Sequence, residues 1–229
     1  MKHDIVYILK NDVDSEEIKY SLRSVEKNFP YEKVWFFGGR PRGIFPDVYV
    51  KYMQTGRTKW QRSTSTLRLA CSTAELSDDF WLFNDDFFIL EKVEDMPTYI
   101  RGDMQERIDE LIDRNGRSNY CVQLEETMKL LKRNGLPTVD YALHLPILVN
   151  KKKALEVMEK FPDCPMFRCL YGNYCGIDGV RTNDVKIYDL SSLPEEGQVL
   201  LSTSDTSFRA GKVGRMLKAK FKEPSRWEK

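Results

Sequence analysis

Three short segments near the start of the chain fix the class of fold. Asp4-Ile5-Val6-Tyr7-Ile8-Leu9 is an apolar run that reads as a buried strand. Asp14 with Glu17 three residues on predicts a helix start. Ile18, Leu22, Val25 and Phe29 then recur at helical spacing, and Pro30 ends the series. Val34-Trp35-Phe36-Phe37 is a second apolar run, closed by Gly38-Gly39. Strand, helix and strand in such close succession make a βαβ unit, which implies a parallel sheet with a right-handed crossover. Ligands of such sheets sit beyond the carboxyl ends of the strands. The loops at 10–12 and 38–42 are therefore expected to face a ligand space.

A third strand signal carries the chemistry. Asp79-Phe80-Trp81-Leu82-Phe83 and Phe87-Phe88-Ile89-Leu90 are apolar and aromatic, and Asn84-Asp85-Asp86 interrupts them. Adjacent carboxylates at the end of a buried strand repel each other and lose hydration, so a cation or strong donors should share the site. Oxygen-rich ligands suit Mg²⁺ or Mn²⁺ bridging to a substrate phosphate. A hydrogen-bonded turn between two strands is the other reading, since Asn and Asp are good turn formers.

Further elements follow the same logic. A short strand is expected at 48–52. Residues 58–63 precede a helix carrying Leu67, Ala70, Cys71 and Ala74 on one face. Lys59 and Arg62 would stand near that helix's N-terminus, where anions bind well, either as a diphosphate clamp or as solvated surface charge. Residues 91–135 are polar and mostly helical, and read as a lid or acceptor-side insertion. The apolar run 141–149 carries His144, one of only two His in the chain. A helix is expected at 151–161, stopped by Pro162. The stretch 167–174 is aromatic and polar, suited to holding a sugar or a base. Strands are expected at 185–188 and 199–201, with Asp205 just beyond as a further carboxylate or as a helix N-cap. Residues 209–229 hold eight Lys or Arg against two Asp or Glu, with Val213, Met216, Leu217 and Phe221 as an apolar face. They read as a basic amphipathic helix, either docked or presented to a polyanion.

The 229 residues suffice for one large α/β domain or two small ones. A net charge of +1 supplies no global field for nucleic acid or membrane. No apolar run reaches ~18 residues, and the N-terminus lacks signal-peptide regions, so the expected location is cytoplasmic. Five Cys without a CxxC pair argue against a disulfide framework or a Cys-rich zinc site.

Several of these residues align with a known family. The chain resembles the Stealth proteins, sugar-phosphate transferases with a nucleotide-sugar-type fold. Asp4-Ile5-Val6-Tyr7 matches their opening D-[IV]-V-Y strand. Residues 17–27 match E-[IL]-[KR]-Y-S-L-R-S-[IV]-E-K, and residues 76–86 match L-S-[DE]-x-F-x-x-[FL]-N-D-D. His144-Leu145-Pro146, Phe161-Pro162 and Arg168 match the third block. Ser204-Asp205 and residues 221–228 match the fourth. The ending S-T-S-D-x-S-F-R-x-G-x-V-G at 202–214 also looks like phage-encoded glycosyltransferases, some of which decorate hydroxymethylated bases.

The resemblance implies a single GT-A-like (Rossmann-like) α/β domain over 1–229, with a mostly parallel central sheet flanked by helices. It implies that Asp85 and Asp86 hold Mn²⁺ or Mg²⁺ on a nucleotide-sugar diphosphate, with a UDP-sugar expected as donor. His144 and Asp205 become metal ligands or the general base, and Asp85 is also a catalytic candidate. Arg168 clamps a phosphate, with Lys10, Asn11, Lys59 and Arg62 around the donor. The implied reaction is glycosyl transfer, with a 5-hydroxymethylated pyrimidine in phage DNA as the expected acceptor and the host cytoplasm as the place. Transfer of a sugar 1-phosphate to a cell-surface polysaccharide is the alternative, and a non-catalytic DNA- or glycan-binding module the second.

Overall fold

The computed structural model describes residues 2–11 and 15–229. In chain order the elements are β1 (His3–Leu9), α1 (Glu17–Asn28), β2 (Tyr31–Gly38), β3 (Val48–Lys51), α2 (Lys59–Ser72), β4 (Asp79–Phe83) and β5 (Phe87–Ile89). They continue with β6 (Tyr99–Ile100), β7 (Gly102–Asp103), α3 (Met104–Asn115), α4 (Asn119–Arg133), β8 (Val139–Asp140), β9 (Ile147–Asn150), α5 (Lys151–Lys160) and α6 (Phe167–Cys175). The chain closes with β10 (Val180–Arg181), β11 (Lys186–Ile187), β12 (Leu200–Thr203), α7 (Asp205–Ala210) and α8 (Lys212–Lys220).

The expected architecture is present: a mixed α/β structure with a mostly parallel central sheet and flanking helices. That sheet runs β3-β2-β1-β4-β9, parallel except for β9, which pairs antiparallel with β4. Its strands are apolar at successive positions because both faces are covered. Val6, Trp35, Phe37, Phe80 and Leu82 join one core with α2 to α6. Ile5, Tyr7, Val34, Phe36, Trp81 and Phe83 alternate with them and pack on α1. Gly38 takes φ +104°, and a Cβ on it would lie 2.2 Å from the Leu9 carbonyl oxygen, so only glycine lets β2 end against the loop after β1.

A smaller sheet, β11-β12-β5, stands beside the first. Residues 84–86 are all that separates β4 from β5, so the acidic turn is the joint between the two sheets. The polar residues of α1 explain why β5 stays there. Ser21 Oγ donates to the Phe87 carbonyl (2.6 Å), Ser24 Oγ accepts from the Ile89 amide (3.0 Å), and Asn28 donates to the Ile89 carbonyl (2.7 Å). Three side chains thus satisfy the strand edge opposite β12.

Several elements differ from the sequence reading. Asp14 lies outside the described residues, and α1 starts at Glu17, with Glu16 at its N-cap and no side-chain cap. Helix α2 already includes Lys59 and Arg62, because Thr58 and Gln61 form a capping box ahead of them, and Ala74 falls beyond its end. The run 141–149 is not one strand: β8 ends at Asp140 and β9 begins at Ile147, which leaves His144 in a connection. The stretch 167–174 is helix α6, whose Cys169, Leu170, Tyr171, Gly172 and Asn173 are buried, so most of it packs rather than recognises. Ser204, not Asp205, is the N-cap of α7. In 91–135, Met104, Ile108, Leu124, Met128 and Leu131 join the main core through α3 and α4.

The tail 209–229 is not one basic helix. Gly211 separates α7 from α8, and the chain after Lys220 folds back over α1. Arg23 grips Glu228 with two bonds (Nε–Oε1 2.7 Å, Nη2–Oε2 2.5 Å), Glu228 bridges to Ile44, and Trp227 is buried with its Nε1 donating to Asp47 (3.1 Å). Removing so large a buried ring leaves a cavity, and Trp227→Ala is expected to cost about 3–5 kcal/mol. Urea unfolding followed by circular dichroism measures it; a loss under about 1 kcal/mol would show the tail to be merely laid on the surface.

Candidate functional site

A cleft of about 980 Å³ opens between the carboxyl ends of β1 and β4, the start of α2 and the small sheet. Lys10, Asn11, Lys59, Arg62, Asp85, Asp86, His144, Arg168 and Asp205 all line it, although they are spread over 195 residues of chain from 10 to 205. Their roles differ. Lys10, Lys59 and Arg62 are exposed cations on one wall. Asn11 is committed to structure: it donates to the Tyr52 carbonyl (2.9 Å) and accepts from the Gln54 amide (3.0 Å), which fixes the 52–54 loop. Asp205 is exposed, 4.0 Å from Arg209 in the same helix.

The floor is the acidic joint. The turn is closed by the Phe87 amide on the Asn84 carbonyl (3.3 Å), as the turn reading of this tripeptide expects. Asp86 Oδ2 accepts from Lys186 Nζ (2.5 Å) and from Ser202 Oγ (3.1 Å). Asp86 Oδ1 is buried without a hydrogen-bond partner. Burial and the charge of Asp86 hold the Asp85 carboxyl above the ordinary range. Arg168 sits behind the pair. Its guanidinium donates to the Leu145 carbonyl and, at 3.4 Å, to that of Leu82, and lies 5.5 Å from the Phe87 ring centre. Burial lowers its pKa to about 10, which leaves it a cation at neutral pH.

An orphaned Asp86 oxygen and a carboxyl disfavoured as an isolated charge are hard oxygen donors that a divalent cation would satisfy. The fit is that of an open, two-carboxylate site. Among the described residues no group of three His, Cys, Asp or Glu could enclose an ion. His144 is not grouped with Asp85 and Asp86 among the described residues, and its Nδ1 faces Asp184, 2.8 Å from Oδ2 and 3.1 Å from Oδ1. Burial raises the Asp184 pKa, but hydrogen bonds from the His144 ring and backbone and the His144 charge outweigh it, and Asp184 titrates below the usual carboxylate range. An ionised carboxylate only accepts, so Nδ1 carries the hydrogen and Nε2 is the basic nitrogen left for the cleft.

Five residues of the site were not singled out in the sequence as functional. Asp184 and Lys186 come from a short polar loop and an edge strand without a motif. Ser202 and Thr203 are read only as part of a strand ending, in the S-T-S-D stretch at 202–205. Glu17 was read as a helix-start residue, yet its carboxyl lines the cleft, 6% exposed, and accepts from Thr203 Oγ1 at 2.6 Å. Burial, helped by Asp85, Asp86 and Asp205 and opposed by the Thr203 bond, raises its pKa from 4.5 to about 8. The fold therefore keeps a proton that the unfolded chain releases. Stability from this group is intact below about pH 4.5 and declines as pH rises through about 8. Glu17→Gln removes that dependence, so the wild type is expected to lose more stability than the variant between about pH 5 and pH 9 in denaturant titrations. Parallel curves for the two proteins would mean that Glu17 is ionised throughout.

No protein-family model and no curated protein matches the sequence. Similar solved structures include an active-site mutant of LgtC, 13% identical over 81% of this chain and 75% of that one, with a TM-score of 0.43. The galactosyltransferase LgtC in complex with donor and acceptor sugar analogues is 11% identical over 75% of this chain and 70% of that one, TM-score 0.41. The glycosyltransferase GlyE of Streptococcus pneumoniae TIGR4, in its apo form, is 7% identical over 83% of this chain and 68% of that one, TM-score 0.29. Functional assignment therefore rests on the side chains of the cleft.

Proposed function

We propose that the protein is a metal-dependent glycosyltransferase of GT-A type that moves a sugar from a nucleotide sugar, a UDP-sugar by preference, to an acceptor hydroxyl. The observation that carries this reading is one cleft holding both halves of the chemistry: the Asp85–Asp86 joint with Lys186 on its floor, and the His144–Asp184 dyad at its side. In the transfer, the acceptor oxygen forms a bond to the anomeric carbon as the bond from that carbon to the phosphate oxygen breaks. The electron pair leaves with the nucleoside diphosphate, and the hydroxyl proton passes to His144 Nε2. Asp184 holds the ring and stabilises the imidazolium. Charge grows on the leaving diphosphate, where fixed cations act most strongly. Lys186 and Arg168 are fixed there, and Lys10, Lys59 and Arg62 stand on the wall. Mn²⁺ or Mg²⁺ on Asp85 and Asp86 would supply Lewis-acid neutralisation of the diphosphate.

The Stealth-like blocks favour a second reading, transfer of the sugar together with its phosphate. The leaving group separates the two: glycosyl transfer releases nucleoside diphosphate, phosphosugar transfer the monophosphate. Both readings need the floor. Asp86→Asn is expected to lower turnover at least about 100-fold while leaving circular dichroism unchanged. Chelation should stop wild-type turnover and Mn²⁺ restore it. Chromatography of the released nucleotide gives the readout, and undiminished release by Asp86→Asn would remove the metal–diphosphate assignment.

The acceptor reads better as a glycan than as DNA. Three of the eight basic residues of the tail, which suggested a polyanion, are engaged: Lys218 with Glu16 (2.9 Å), Lys220 with Glu91 (2.8 Å) and Arg226 with Asp47 (2.8 Å). No helix among the described residues is long and apolar enough to cross a membrane. Thermal shifts across a panel of nucleotide sugars with Mn²⁺ test the donor directly, since a ligand that binds only the folded form raises its melting temperature. The largest shift is expected with a UDP-sugar.

A further inference from the structure

The ring that faces the base is exposed. Tyr188 meets the His144 imidazole edge to face, ring centres 6.4 Å apart, and Lys186 Nζ lies 5.8 Å from the Tyr188 ring centre. One aromatic ring therefore touches both the base and the cation that holds Asp86. It follows Lys186 and Ile187 of β11 and is held there through its backbone, where the Ser204 hydroxyl donates to the Tyr188 carbonyl (3.4 Å). Even so, 61% of Tyr188 is open to solvent, and Leu190 and Leu193 beyond it are about half exposed. Apolar side chains left open beside a reactive centre mark a contact surface for a ligand.

The charge around this surface selects the ligand. Residues 187–208 contain no Lys or Arg, and they carry Asp189, Glu195, Glu196 and Asp205. The two cations that face Tyr188 are both engaged, Lys186 with Asp86 (2.5 Å) and Arg107 with Glu110 (3.2 Å). Asp184 and Asp86 face it as well. Lys10, Lys59 and Arg62 are exposed in the cleft, and Arg209, 4.0 Å from Asp205, lines it directly after this segment. The cleft thus offers cations suited to a diphosphate, while the 187–208 segment that carries Tyr188 is acidic and apolar and favours a neutral ligand. The face of an aromatic ring is electron-rich and packs against the polarised C–H face of a pyranose.

We propose that Tyr188 is the platform on which an uncharged sugar ring of the acceptor stacks, so that a hydroxyl of that ring reaches His144 Nε2. This rests on the glycosyltransferase reading and names its acceptor class: a neutral glycan, with nucleic acid as the competing outcome of the test. Tyr188 sets specificity; it takes no proton in the transfer.

Saturation-transfer-difference NMR tests this on the full chain without turnover. The probes are lactose, cellobiose, maltotriose and the methyl glycosides of glucose and galactose, with a 5-hydroxymethylcytosine DNA duplex as competitor. At least one sugar is expected to receive saturation on its ring C–H protons and to bind about tenfold more weakly to Tyr188→Ala. Tyr188→Phe should retain the signal, because only the ring face is used. The exposed position makes an unchanged melting temperature the folding control. Absence of transfer to every sugar, an undiminished signal in Tyr188→Ala, or displacement of the sugar by the duplex overturns the proposal. A UDP thermal shift run in parallel keeps the two readings apart: sugar contact without UDP binding sinks the donor assignment alone, and UDP binding without sugar contact sinks this one alone.

Discussion

The structure turns on where the Asp86 carboxylate is held. It closes a three-residue turn between two sheets, and its Oδ2 draws in Lys186 from β11 and Ser202 from β12. Its backbone carbonyl also receives the Thr203 amide (3.4 Å). The two sheets also share a core in which Tyr7 and Phe83 meet Phe87, Ile89 and Leu200, and the Asp86 convergence fixes the polar floor of the cleft above it. Such an ion pair contributes little to stability, since desolvation of both partners offsets most of their attraction. Its value is positional: it places a carboxylate and an ammonium at one point in a polar cleft that nothing else in the fold would bring together.

Around that point the cleft sorts its charges. Glu17 is a buried carboxyl whose pKa is raised to about 8, so the acidic floor carries less negative charge at neutral pH than its residue count suggests; burial and the Asp86 charge push Asp85 upward as well. Arg168, Lys186 and the exposed cations of α2 then leave the donor side net attractive to phosphate. The His144–Asp184 pair stands apart from this group and faces the acidic rim. Separate electrostatic climates for the leaving group and the incoming hydroxyl suit a displacement in which one side gains negative charge and the other gives up a proton.

Local pattern made the βαβ start, the helices at 59–72 and 151–160 and the acidic turn readable in the sequence. Period and turn chemistry are properties of neighbouring residues. The partners were not readable. Lys186 lies 100 residues beyond Asp86, and Asp184 lies 40 beyond His144. Neither is distinguished from an ordinary surface charge until the small sheet is assembled. Helix α6 was misread because aromatic and polar residues mixed in sequence look like a recognition loop, whereas helical spacing buries Cys169, Leu170 and Asn173 together. Asn173 is then a core residue, spanning β8 through the Val139 amide and carbonyl. The partners of the basic tail were hidden for a similar reason: net composition does not reveal that Lys218, Lys220 and Arg226 have acidic neighbours.

The serine and asparagine side chains of α1 have a consequence beyond fold geometry. A strand with one free edge is a template for pairing with another molecule, and short three-stranded sheets are prone to it. Here Ser21, Ser24 and Asn28 occupy the donors and acceptors that a foreign strand would seek, and a helix is too thick to be displaced by an incoming chain. The β5 edge of the small sheet is thereby closed to a foreign strand.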